Sequence, residues 1–334
     1  MKKSKKQDDS LRYLAASGII RMRENDLVDD ERRDRILAAK TGAEAYRVIR
    51  ECGYDLTDVR VNKTGVEGMY VFSELMRRAR TELYAFADSV TESRAVTDFF
   101  RVRTDCHNIK TILKSQAAHI DPKPLLLPDG TIPTDELLRK LSSGKPGALD
   151  GALDGAFGAA ADEARQILDR LGDGQRADFL IDRAMLDEQA RLAEESEVDC
   201  LKTYAERLVD GANLRTAVRL MRLRGGAALL KDALSERGTI DQKKLIRAAQ
   251  SGTLPELYRG TVFEKAAMLA NEAETGAETL AALESACTEA ENQLFDKTQY
   301  VAAGPILLVH YLVRREQEFK MLRKLMSEKL RVTA

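Results

Sequence analysis

The chain repeats itself, and the repeat limits what it can fold into. The segment DCHNIKT at 105–111 returns as DGANLRT at 210–216. A second marker follows each copy: GTI at 130–132, ahead of LLR at 137–139, returns as GTI at 238–240, ahead of LIR at 245–247. A period near 105 residues divides the 334 residues into three units. Self-similar modules of this kind build shaped scaffolds, which turns the question from a reaction toward partners.

A third marker ties the units together. AKTGAEAYR at 39–47 resembles AQSGTLPELYR at 249–259, and LSSG at 141–144 holds the corresponding place in the middle unit. The expected division is therefore 11–128, 129–237 and 238–334, preceded by a polar tail at 1–10. The segment before Gly42 corresponds to the piece that follows each signature helix. Residues 11–32 thus either open the first unit or complete the third beside the C-terminal helix. The second option would close the units into a ring.

Each unit reads as helical. Trp is absent, aromatics make up 5% of the chain, and no segment sustains period-two alternation, so an all-α protein is expected. Helices are expected at 11–24, 29–52, 66–89, 91–117, 160–173, 176–195, 197–224, 241–251, 262–273, 276–294 and 299–330. In 66–89, Met69, Phe72, Leu75, Met76, Ala79 and Leu83 recur at helical spacing. The stretch 121–133 is Pro-rich and reads as an extended connector. GKPGALDGALDGAFG at 144–158 reads as a flexible connector, since it lacks the GxxxxGK[ST] pattern and a preceding strand.

Charged residues make up 32% of the chain but leave a net charge of −1, which argues against a nucleic-acid binder. Lys2, Lys3, Lys5 and Lys6 form a local basic cluster, read as a solvated tail. The four cysteines, Cys52, Cys106, Cys200 and Cys287, form no CxxC pair and suit a reducing compartment. The N-terminus lacks the apolar core of a signal peptide. The longest apolar run, 305–313, contains His310 and falls short of the ~20 residues needed to cross a bilayer.

At 100° per residue, Asp105 sits between Ile109 and Ile112 on the apolar stripe of its helix, with Asn108 at the stripe's edge. Asp210 sits likewise between Leu214 and Ala217, with Asn213 at the edge. A strict spacing of 105 would put Arg315 at the third equivalent place. Sliding by three residues restores the pattern as EFKMLR at 318–323, with Glu318 between Leu322 and Leu325. The bases five residues on are Lys110, Arg215 and Arg323. An acid on an apolar stripe is costly unless paired. Three such acids could form a carboxylate cluster for metal or acid/base chemistry. The structural alternative is that each binds backbone or a base of its own unit's partner helix. Triplication favours the structural alternative, because catalysis would need one site. His107, His119 and His310 share no ligand spacing. Cys106 and His107 point about 100° apart on a helix, so they form no nucleophile–base pair. No catalytic residue, cofactor or metal site is expected.

RTDCHNIKTILK at 103–114 resembles the Asp-x-His-Asn-[Leu/Ile]-Lys helix of the C-type stalk protein of archaeal and bacterial V/A-type ATPases, a family related to the d-type stalk protein of vacuolar ATPases. GPILLVHYLVRREQEFKMLR at 304–323, with KL at 329–330, resembles that family's ending, and LRYLAASGIIR at 11–21 its first helix. Departures lie at Arg314 and Arg315, at Met321 in place of Asn, and at Ser327 and Glu328 before the Lys-Leu pair. The resemblance implies three helical subdomains around a pseudo-three-fold axis, forming a funnel. It implies a non-catalytic rotor part of the central stalk, cytoplasmic and peripheral to the membrane. Its partners would be the axle subunits and the membrane proteolipid ring, with no nucleic acid and no span of its own. The competing readings are a free-standing helical repeat scaffold that binds a peptide or RNA, and an undetected helical hydrolase.

Overall fold

A computed structural model describes residues 13–331 apart from 92, 150, 152–154, 224–225 and 274–275. The polar tail at 1–10 lies outside the described residues, as does part of the glycine tract. Among the described residues every regular element is helical. The chain forms two compact units. One runs to Thr97 and resumes at Lys297, and the other is Asp98–Asp296. The boundaries expected at 128/129 and 237/238 both fall inside the second unit.

The first unit is organised by the C-terminal helix, Pro305–Lys329. Pro305 at its first position needs no N–H partner and starts the helix six residues later than its apolar pattern suggests. It packs against Leu14–Glu24, Gly42–Glu51 and Gly65–Val90. Leu307, Leu308, Leu312 and Leu322 are fully enclosed, and Tyr311 meets Phe86 edge-on at 6.1 Å. The expected helix 29–52 is two helices, Asp30–Ala38 and Gly42–Glu51. The break follows from capping: Thr41 accepts from the Glu44 N–H, and the Glu44 carboxylate accepts from the Lys40 N–H. Gly68 is required by close approach, since a Cβ there would run into the Lys63 carbonyl. Leu330 closes the helix ends, its carbonyl accepting from the Gly65 N–H at 2.6 Å.

His310 lies on this C-terminal helix, its Nδ1 2.9 Å from the Thr298 hydroxyl. Burial, with Arg314 and Arg21 adding repulsion, pushes its imidazole down to about 4. A histidine depressed below its unfolded value of ~6.5 supports the fold fully above that value. That support is lost as pH falls from ~6.5 toward 4. His310→Gln is therefore expected to remove part of the wild-type fall in Tm across that window. Subtracting the two Tm–pH curves cancels the other titrating groups. A flat difference curve would show that His310 carries no such cost.

The second unit is built on Gly174–Glu195 and Asp199–Arg222. The former packs on Gly155–Leu171, the latter on Ala277–Asn292, and the two pack on each other. Phe179, Leu214, Leu220, Tyr258 and Phe263 belong to one buried cluster. Ala227–Ala233 is a short helix that the apolar periodicity does not reveal. The expected helix 262–273 is interrupted, as Glu264–Met268 and Ala270–Ala273.

Candidate functional site: three buried carboxylates

Asp105 lies midway along the helix Arg94–Ala117 and has no exposed surface. One carboxylate oxygen accepts from the Thr131 N–H at 2.9 Å and the Thr131 hydroxyl at 2.6 Å. The other accepts from the Ile132 N–H at 3.3 Å. Asp210, on Asp199–Arg222, takes the equivalent three donors, divided differently between its two oxygens. It accepts from the Thr239 N–H at 2.9 Å, the Thr239 hydroxyl at 2.5 Å and the Ile240 N–H at 3.3 Å.

The two markers seen in the sequence are thus halves of one device. The acid on each signature helix captures the Gly-Thr-Ile turn that opens the following repeat. Thr supplies two donors, one from its backbone and one from its side chain. Gly is required because a Cβ at Gly130 or Gly238 would collide with the Asp105 or Asp210 carboxylate. Neither glycine has a positive φ, so clearance is the reason for it. Each acid is expected to bind the backbone or a base of its own unit's partner helix; Asp105 and Asp210 do bind backbone, but that of a turn.

The asparagines three residues on form a second tie. Asn108 donates to the Leu127 carbonyl at 2.8 Å and accepts from the Leu127 N–H at 2.9 Å. Asn213 treats Ser235 the same way, at 2.9 and 3.0 Å. A side-chain amide thereby pairs an isolated stretch of connector as a neighbouring strand would. This accounts for the connector 121–133 lying beside the helix although only Lys123–Leu125 in it is regular.

The bases reach elsewhere. Lys110 pairs with Asp182 at 2.6 Å, and the Cys106 thiol donates to the same carboxylate at 3.4 Å. Arg215 pairs with Glu291 at 2.6 Å and Glu284 at 2.9 Å. A Cβ at Gly211 would meet the Glu291 carboxylate, which explains why glycine stands there where the first copy has Cys106. Burial pushes the Cys106 thiol up, which disfavours the nucleophilic thiolate. His107 is exposed, with Nε2 3.1 Å from the Leu125 carbonyl.

The third copy is built differently. Glu318 accepts from the Val28 N–H at 2.7 Å, the Tyr54 hydroxyl at 2.5 Å and Arg315 at 2.6 Å. Val28 precedes the helix Asp30–Ala38, so the turn captured here belongs to the N-terminal end of the chain. Arg323 is exposed. The base beside the acid is Arg315, stacked near the rings of Tyr54 and Phe319. Met321, where the other copies have asparagine, offers no amide for a second tie.

Burial pushes Asp105 up to about 6 against three hydrogen bonds that favour its charge, and pushes Asp210 in the same direction. Both carboxylates accept three hydrogen bonds from donors of the same chain and lie under the surface. Each is a joint by geometry. Among the described residues no group of histidines, cysteines and acids is arranged to hold a metal ion. No described helix is long and apolar enough to cross a membrane.

The family model described as ATP synthase (C/AC39) subunit matches residues 16–330. No curated protein matches the chain.

Proposed function

The chain belongs to the ATP synthase (C/AC39) subunit family, and we propose that it is the non-catalytic coupling piece of the rotor in a V/A-type ATPase. In this reading it joins the central axle to the membrane proteolipid ring and transmits torque. Its three repeats, 11–128, 129–237 and 238–334, form subdomains around a pseudo-three-fold axis, with residues 11–32 completing the third.

The observation that supports this reading best is the repeated joint. Three carboxylates fasten three turns, and in the third the C-terminal helix captures the N-terminal segment at Val28. A part that carries torque must not slip at the seams between its modules. Buried hydrogen bonds of this kind resist slipping because opening one leaves desolvated donors unpaired. Long packed helices supply stiffness between the seams, and ion pairs such as Lys110–Asp182 link neighbouring helices.

The test is affinity purification of the tagged full-length protein from detergent-solubilised membranes. Stoichiometric recovery with axle and proteolipid subunits is expected. Recovery of the protein with RNA or a soluble peptide partner, and without those subunits, overturns the reading.

A further inference from the structure

The second unit holds a cavity of about 290 Å³ that the joints do not use. It opens between the helix Gly174–Glu195, the end of Ala227–Ala233 and the turn that precedes Gly238. Arg183, Lys231 and Arg237 line it, and among the described residues none of the three makes a salt bridge. Arg183 gives one N–H to the Lys231 carbonyl at 3.4 Å, which leaves most of its fork open. The walls are tied in place. Gln242 donates to the Leu234 carbonyl at 2.7 Å, and the Ser235 hydroxyl donates to Asp187 at 2.5 Å. Arg176 takes Asp232 from outside the cavity at 2.7 Å. Three unpaired cations then face two carboxylates, Asp187 and Glu236. The architecture does not require this arrangement. Ser235 and Arg237 stand three residues and one residue before Gly238, and the first repeat has Leu127 and Asp129 at those places before Gly130. The same joint forms in both repeats.

We propose that this cavity binds inorganic phosphate, with Arg183, Lys231 and Arg237 on its anionic oxygens and Asp187 on its P–OH. Two guanidinium forks and an ammonium suit the several oxygens of a phosphate, whereas the carboxylate of an acidic side chain engages one fork. An acid in the wall of an anion site repels a fully deprotonated ligand. It favours one that brings a proton to donate, and the Asp187 oxygen not bonded to Ser235 has no donor of its own. Inorganic phosphate carries that proton at neutral pH. A phosphate monoester, with its second pKa near ~6, has mostly lost it. The cavity lies at the lower limit of the ~300–1,000 Å³ of small-molecule sites, and Leu234 is the only apolar residue among its described lining. Nothing there would hold an aromatic base, so a nucleotide is a poor occupant. The inference concerns a ligand of the second unit and does not rest on the rotor reading.

The test is isothermal titration of the purified full-length protein with phosphate, sulfate and glycerol phosphate, in a phosphate-free buffer at neutral pH and fixed ionic strength. Phosphate is expected to bind at one site per chain. Sulfate has a similar shape and charge but no proton to donate, and it should bind about tenfold more weakly or worse, as should glycerol phosphate. Arg237→Ala and Arg183→Ala should each weaken phosphate binding about tenfold or more. Thermal unfolding of Arg237→Ala should match wild type, since Arg237 is exposed. Lys243→Ala, an exposed cation outside the cavity, should leave binding unchanged. Asp187→Asn keeps an acceptor for Ser235 and removes the repulsion, so sulfate should then bind about as well as phosphate. Equal binding of phosphate and sulfate by the wild type overturns the inference, and so does the absence of phosphate binding. Binding that survives both arginine changes is an adventitious ion only and overturns it too. An oligoglutamate peptide that binds in preference to phosphate would assign the cations to an acidic protein segment instead. Each of these outcomes leaves recovery of the chain with axle and ring subunits, and hence the proposed function, untouched.

Discussion

Asp210→Leu is expected to lower the stability of the protein by roughly 3–5 kcal/mol, and Asp105→Leu by a similar amount. Each substitution strips an acceptor from two backbone N–H groups and one hydroxyl. A buried donor without a partner costs about 1–3 kcal/mol, and a leucine among Leu214 and Ala217 recovers only part of that. Urea unfolding of the purified variants measures the loss. Asp105→Asn should cost less, since an amide oxygen can still accept. Its deficit should also depend on pH. Asp105 titrates near 6 in the fold and lower when unfolded, so its contribution is full below the unfolded value and falls as pH rises through 6. The deficit of Asp105→Asn therefore shrinks between pH 4 and 6. Gly238→Ala attacks the same joint from the other side, because its new methyl displaces the Asp210 carboxylate. The losses from Gly238→Ala and Asp210→Leu should fall well short of adding, as expected for two halves of one contact. A variant at either acid that stayed as stable as wild type yet lost coupling in the assembled ATPase would show that the carboxylate acts in some way other than as a joint.

The helical class, most helix positions and the three acids were legible because each leaves a periodic or repeated mark on the sequence. The partners of the acids were visible too, as the Gly-Thr-Ile marker, but periodicity does not say that two markers touch. Glycine followed by threonine was the available signal: a glycine permits close approach by something, and a threonine beside it offers two donors to an acceptor. The breaks in the helices were missed where local capping overrides an apolar pattern, as at Thr41, or where Pro305 sets the start. The third joint was legible only in part. Sliding the register by three residues located Glu318, but the same rule assigned its base to Arg323, which is exposed. The working base, Arg315, lies one turn before the acid. Its other neighbours, Val28 and Tyr54, are more than 260 residues away in sequence and carry no repeat marker.

Glu318→Leu is expected to be the most damaging single change in the unit that holds both ends of the chain. It removes the acceptor of the Val28 N–H and the Tyr54 hydroxyl, and it leaves Arg315 as an uncompensated cation with a side chain only 12% exposed. Breaking a buried pair from one side costs about 3–5 kcal/mol, since the surviving charge keeps its desolvation penalty. The companion change sets the sign of the test. In Arg315→Leu/Glu318→Leu no charge is stranded, so the double variant should be more stable than Glu318→Leu alone, short of wild type by the two donors still unpaired. Hydrogen exchange should locate the damage. Amides from Val28 through Tyr54 should lose protection first, because Glu318 is their hydrogen-bonded tie to the C-terminal helix, while amides around Asp210 keep theirs. Uniform loss of protection along the whole chain would instead mean that the joint is one contributor to a single cooperative core. Selective loss would show that the chain's two ends are fastened at a distinct seam, held by the acid of the third repeat.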